Sequence, residues 1–191
     1  MLRVLWAEEC ASQIVEFALS VPVLVLFVVG IFDFSGALAL KHKLADAARE
    51  GARVAAADPA NDLAKFSTTV PVSVSDAAQV VDNFLISEKI NDCGLNNPTW
   101  SNTAGSLIWK ASAAGCIGAS NPGLQLTINR GCINPQSMTL GSNTVTVNLV
   151  NTCVTILYPY VWQFTGAAGL FGGSFTGPTS ITSTATAFNE N

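Results

Sequence analysis

Hydrophobic positions run together in one place only. From Cys10 to Phe32 a single charge, Glu16, interrupts 23 residues, and Val21–Phe32 is almost unbroken Val, Leu, Ile and Phe. A helix over residues 14–32 would rise roughly 28 Å, close to the thickness of a bilayer's hydrocarbon layer. After Asp33 the spacing becomes amphipathic. Leu40, Leu44, Ala48, Ala52 and Ala55 form a stripe, while Lys41, Asp46, Arg49, Glu50 and Arg53 lie mostly off it. This predicts a helix running to about Ala57, stopped by Asp58-Pro59 because a residue before proline disfavours helix. Residues 75–90 predict a second helix, with Ser75 as N-cap and Ala77, Val80, Val81, Phe84 and Leu85 on one face.

Beyond Asp92 the period falls to two. Residues 124–129, 144–150 and 152–158 alternate as strands do, and Val145, Val147 and Leu149 share one face. Residues 180–188, rich in Thr and Ser, predict a final edge-like strand. Loops are marked at Asn97-Pro98, at Asn121-Pro122-Gly123 and across residues 172–177. The fold class expected is α+β. A long N-terminal transmembrane helix continues into an amphipathic helix, followed by a small helix and an antiparallel β-sheet domain.

Three kinds of segment could account for the apolar run. A cleaved secretory signal has a small-residue site at Ala37-Leu38-Ala39, but the run exceeds the usual 7–15 residues and follows Glu8-Glu9 rather than a basic cluster. A lipoprotein signal needs small residues before its cysteine, and Cys10 follows two glutamates. A retained membrane anchor spanning about residues 14–32 fits best. Within it, Pro22 removes a backbone donor and should loosen the helix, and Glu16 puts a carboxylate about one turn inside the span. Such a carboxylate either snorkels to the interface or meets a cation. Further on, Ala47, Ala48, Gly51, Ala52, Ala55 and Ala56 leave a smooth flank. That flank suits close approach by another chain's helix, or the helix simply lies on its own domain.

Composition sharpens the picture. Of 191 residues 49% are hydrophobic, enough for a core, yet only 12% are charged, about half the usual share. The net charge of −4 leaves no electrostatic footprint for nucleic acid. Between Asp92 and Glu190 the only charges are Lys110 and Arg130, a composition that favours work outside the cytoplasm. The positive-inside rule points the other way, since Arg3 alone precedes the span while Lys41, Lys43, Arg49 and Arg53 follow it. Those bases begin nine positions past Phe32 and are offset by acids, so composition carries more weight.

Three stretches of the N-terminal part together resemble a known family. They are residues 12–22 (Ser12 to Pro22, including Glu16), Gly30-Ile31-Phe32-Asp33-Phe34, and Ala47-Ala48-Arg49-Glu50-Gly51-Ala52-Arg53. In that order and spacing they look like the TadE-like pseudopilin or minor pilin family of the tight-adherence (Flp) pilus system. Residues 154–160 and the closing segment 181–190 are similar as well. The resemblance implies a bacterial inner-membrane protein whose C-terminal domain lies in the periplasm. It also implies a leader removed by prepilin peptidase so that Glu16 becomes the fifth mature residue. The cut would then fall between Ala11 and Ser12; the family usually has glycine where this chain has Ala11. Residues 1–11 are thus expected as leader, 12–58 as the membrane-spanning and periplasmic helix, and 59–191 as the extracytoplasmic α+β domain. Subunit contacts are expected at Glu16, Pro22, Ala48, Gly51, Ala52 and Ala55, with Glu16 meeting the freed amine of Ser12 on a neighbour.

Five cysteines occur, at positions 10, 93, 116, 132 and 153. Loss of the leader would remove Cys10 and leave four for two disulfides in an oxidising compartment. Of the three possible pairings the sequential one is expected, Cys93 with Cys116 and Cys132 with Cys153. No close Cys or His pairs suggest a metal, and no cofactor is expected. A catalytic triad would have to use His42, the only histidine, which sits between Lys41 and Lys43. No hydrolase, zincin or phosphate-loop motif is present, so the chain is not expected to be an enzyme. The expected role is a membrane-anchored minor pilin that supports assembly of an adhesive pilus through contacts with other pilins and the assembly machinery. The alternatives are a secreted adhesive or binding module, released by signal peptidase, and a filament-forming pilin.

Overall fold

The computed structural model describes residues 2–59, 63, 69–102, 105–116, 123–140, 143–163 and 177–189, with backbone only for residues 2–12 and 140. Helix α1 spans Leu2–Ala57 and continues through Pro22. Helix α2 spans Val72–Ser87. Five strands follow: β1 (Thr99–Asn102), β2 (Ile108–Ala113), β3 (Leu124–Leu140), β4 (Asn143–Pro159) and β5 (Ser180–Phe188). They form one antiparallel sheet in sequence order, β1-β2-β3-β4-β5. The fold is therefore α+β, as the patterns of period 3.6 and period 2 imply.

Two compact units make up the chain. One comprises Met1–Leu38 with Trp162–Pro178, the other Ala39–Val161 with Thr179–Asn191. In the second unit, the C-terminal half of α1 and all of α2 share one core with the sheet. Leu44, Ala48, Ala52, Val74, Val81 and Leu85 contribute from the helices, and Trp109, Leu126, Ile128, Val154 and Ile156 from the strands. Alternation along β2 explains the layering: Trp109, Ala111 and Ala113 are buried while Lys110 is exposed. Trp109 is thus part of the core, and Trp100, partly buried, packs against that core. Tyr158 is half-buried and donates its hydroxyl to the Asn91 carbonyl at 3.0 Å.

Several sequence expectations need correcting. Helix α2 starts at Val72, not Ser75, because Pro71 takes the N-cap place and the Ser75 hydroxyl donates back to the Val72 carbonyl at 2.9 Å. It ends before Ile90. Lys89 turns left-handed at φ 58°, and the Ile90 and Lys89 amides donate to the carbonyls of Leu85 and Ile86, a Schellman closure. Strands β1 and β2 were not expected. Residues 144–150 and 152–158 belong to a single strand, and β3 runs to Leu140 instead of stopping at Asn129. Gly131 lies at a register shift between Asn129 and Cys132, where a Cβ would come within 2.8 Å of Leu107 Cδ1. The loop at Asn121-Pro122 and most of 172–177 lie outside the described residues.

The end of α1 is held from the sheet. Arg130 on β3 is buried and donates through Nη2 to the Asp58 carbonyl at 3.0 Å, placing a cation at the helix's negative end. Lys43 pairs with Glu88 at 3.0 Å and so links α1 to the end of α2.

Candidate anchoring and assembly surface

The first unit is defined by what α1 leaves bare. Ile14, Phe17, Leu19, Phe27, Ile31 and Phe32 are 68–74% exposed, although each is large and apolar. No residue of the most apolar eighteen-residue window is buried. A core helix of a water-soluble domain would hide these side chains, each worth about 1.5–3 kcal/mol when withdrawn from water. The surface therefore fits membrane anchoring. Against it runs a covered stripe: Pro22, Leu26, Val29 and Gly30 are half-buried, and Asp33 and Ala37 are buried. Spacings of three and four residues keep these six on one side of the helix. An apolar hollow of about 730 Å³ lies along the same helix, lined by residues that include Val23, Phe27, Ile31 and Phe34.

Glu16 sits on the bare part and is exposed. Its backbone carbonyl accepts a second hydrogen bond, from the Ser20 hydroxyl at 2.7 Å. Its carboxylate has no ion-pair partner among the described residues. The side chains of Ala11 and Ser12, where processing was expected, lie outside the described residues. Sequence reading passed over Asp33 as a site. Its burial within the covered stripe sets it apart as a polar residue, and the sequence signal for it is an acid at the close of the apolar run, inside the Gly30–Phe34 motif.

The small-residue flank lies in the second unit, and there the structure decides between the two readings. Ala47, Ala48, Ala52 and Ala55 are completely buried within the chain's own core. A Cβ on Gly51 would come within 2.7 Å of Val81 Cγ2, 3.5 Å of the Ala77 carbonyl and 3.7 Å of Val154 Cγ1. The expectation that Ala48, Gly51, Ala52 and Ala55 meet another subunit is thereby corrected. These residues are small so that α2 and β4 can approach α1 closely. Glu50–Arg53 and Asp46–Arg49 form the i,i+3 pairs on the outer side, at 3.0 and 2.6 Å.

The four cysteines of this unit pair as Cys93–Cys116 and Cys132–Cys153, with Cα atoms 4.6 and 5.8 Å apart. Near the first disulfide, Asp82 is 6% exposed and its Oδ1 has no hydrogen-bond partner. Burial, then the charge and hydrogen bond of Asp92, push its carboxyl above the usual carboxylate range. Burial and then the same Asp92 charge raise the Tyr158 phenol. Two neighbouring acids, one of them buried, are a cost to folding at neutral pH.

Comparison with known proteins bears on the N-terminal part alone. No curated protein and no solved structure matches the chain. The stretch that does match holds Glu16, Pro22, Asp33 and Gly51, which are the bare carboxylate, the covered stripe and the tightest helix contact described above. Over residues 11–53 the chain matches the family model of the TadE-like protein, a pilus-associated family.

Proposed function

We propose that the chain is a membrane-anchored minor pilin or pseudopilin that supports assembly of an adhesive Flp-type pilus. The observation that carries this reading is the coincidence, on one helix, of the TadE-like match over residues 11–53 with an apolar surface that the chain leaves uncovered. On this reading the N-terminal part of α1, about residues 14–32, lies in the inner membrane, the disulfide-bearing unit that holds its C-terminal half lies in the periplasm, and prepilin peptidase cuts between Ala11 and Ser12. Two disulfides support the outward orientation, since such bonds persist in oxidising compartments. The protein works by contact and not by catalysis, with other pilins and the assembly machinery as partners.

Glu16 is the residue through which assembly would act. A carboxylate near the end of a span costs less than the ~2.5–3.5 kcal/mol of one at mid-membrane, but it still asks for a cation. The amine freed at Ser12 of a neighbouring subunit supplies one, which couples the contact to leader removal. Glu16→Gln keeps size and hydrogen bonding and deletes the charge. The variant should insert and be processed normally yet fail to complement surface piliation in a deletion strain. Wild-type piliation by Glu16→Gln would reduce the carboxylate to a snorkelling side chain and remove the proposed mechanism.

A further inference from the structure

The longest strands do more than the sheet requires. Strand β2 pairs with β3 only through Asn129, and β5 pairs with β4 only from Asn151 onward. Beyond those points Cys132–Leu140 and Asn143–Val150 pair only with each other among the described residues. The result is a two-stranded ribbon standing clear of the domain, clamped at its base by Cys132–Cys153. Two strands alone are marginal in water, and three or more with an apolar face are needed for independent stability. This ribbon nonetheless exposes apolar side chains. Val145 and Val147 are 47% and 40% exposed, Met138 lies opposite Val145, and Leu149 completes the row.

The two edges, both unpaired among the described residues, differ. On β3 the edge carries Pro135, which has no N–H to offer an incoming strand. The β4 edge has neither proline nor lysine, the usual guards of an exposed edge, and from Gly131 to Val150 the chain carries no charge at all. We infer that the β4 edge of the ribbon, Thr144–Val150, is a docking strand for the same strand of a second copy of this chain. Antiparallel pairing about a two-fold axis normal to the ribbon returns every side chain to its own face. With Val147 opposite its mate, Val145 meets Leu149 of the other copy and Thr146 meets Asn148, apolar to apolar and polar to polar. Absence of charge means that two identical strands meet without like-charge opposition. Anchoring by α1 confines the copies to one membrane and raises their effective concentration, so a short interface suffices. A four-stranded sheet replaces the marginal ribbon.

The inference is independent of the pilus role and is tested with the full chain expressed alone in membranes. A photo-crosslinking phenylalanine analogue placed at Val147 should give a self-adduct of twice the chain mass. The same probe at Gln136, opposite Val147 on the guarded strand, should give at least tenfold less. A fifth thiol is avoided because it could exchange with the four paired cysteines. Val147→Lys puts a charge on an exposed edge position without touching the core, and by native mass spectrometry in detergent it should lose the dimer seen for wild type. Equal adducts at both positions, an adduct only with a different protein, or a dimer unaffected by Val147→Lys would each overturn the inference.

Discussion

Gly51 and Val81 stand so close that a single methyl group will not fit between α1 and α2: a β-carbon at position 51 would lie 2.7 Å from Val81 Cγ2. Val81 is completely buried and β-branched, so it cannot swing aside freely. Gly51→Leu should therefore destabilise the second unit by about 1–3 kcal/mol through overpacking. Val81→Ala in the Gly51→Leu background should recover part of the loss. Thermal melts of wild type and the two variants in detergent check this, at roughly 2–4 °C per kcal/mol for a chain of this size. Equal stability of Gly51→Leu and wild type would place α2 elsewhere.

The disulfides predict a definite peptide map. Digestion without reductant should yield Cys93 joined to Cys116 and Cys132 joined to Cys153, bridges that close 23 and 21 positions of chain. Replacing both members of either pair by serine should cost about 2–4 kcal/mol. Loss of Cys132–Cys153 should also loosen the ribbon, seen as faster amide exchange over 132–151. A crossed map, such as Cys93 with Cys153, would contradict the sheet register.

Stability should fall as pH rises through the titration of Asp82. Its folded-state pKa is raised, so the folded protein holds the proton more tightly than the unfolded chain. The penalty is absent below the ordinary carboxylate pKa, grows as pH climbs through the raised value, and is complete above it. Asp82→Asn removes the second charge and lets an amide donate to Asp92. Its melting temperature should exceed that of wild type at pH 7, and the gap should close toward pH 3. Tyr158 acts in the same sense at alkaline pH, where ionising the half-buried phenol near the Asp92 charge should further destabilise the fold. A gap that widens as pH falls would mean that Asp82 is held as an anion.

Much of the fold was legible because period and punctuation agreed. Asp58-Pro59 closes α1 at Ala57, and the run of Thr and Ser from 180 to 188 is β5 itself. The misses have physical causes. Val72-Ser73-Val74-Ser75 alternates like a strand, yet Pro71 before it and the core-facing Val74, Ala77, Val81 and Leu85 make it helix. Strand β2 is built largely of Ala, Ser and Lys around Trp109, a composition whose strand character comes from its neighbours on β1 and β3. Gly131 and Pro135 disfavour a regular strand, but a register shift and an edge tolerate them. The small-residue flank was visible as a close-packing surface, while its occupant was not. Nothing in Ala48 or Gly51 distinguishes a helix of the same chain from one of another, whereas the fold supplies α2. Glu16 stood out in the sequence for the same reason it stands out in space, a charge among apolar side chains.

The start of the mature chain tests the membrane-anchored pseudopilin reading most directly. Peptides from the membrane fraction, labelled at free amines before digestion and identified by mass spectrometry, should include one that begins at Ser12. That result would retain the whole exposed span and place Glu16 fifth, next to the amine it is proposed to meet on a neighbour. A peptide beginning at Leu40, recovered from the soluble fraction, would mean that the span is a discarded signal, and it would contradict the account.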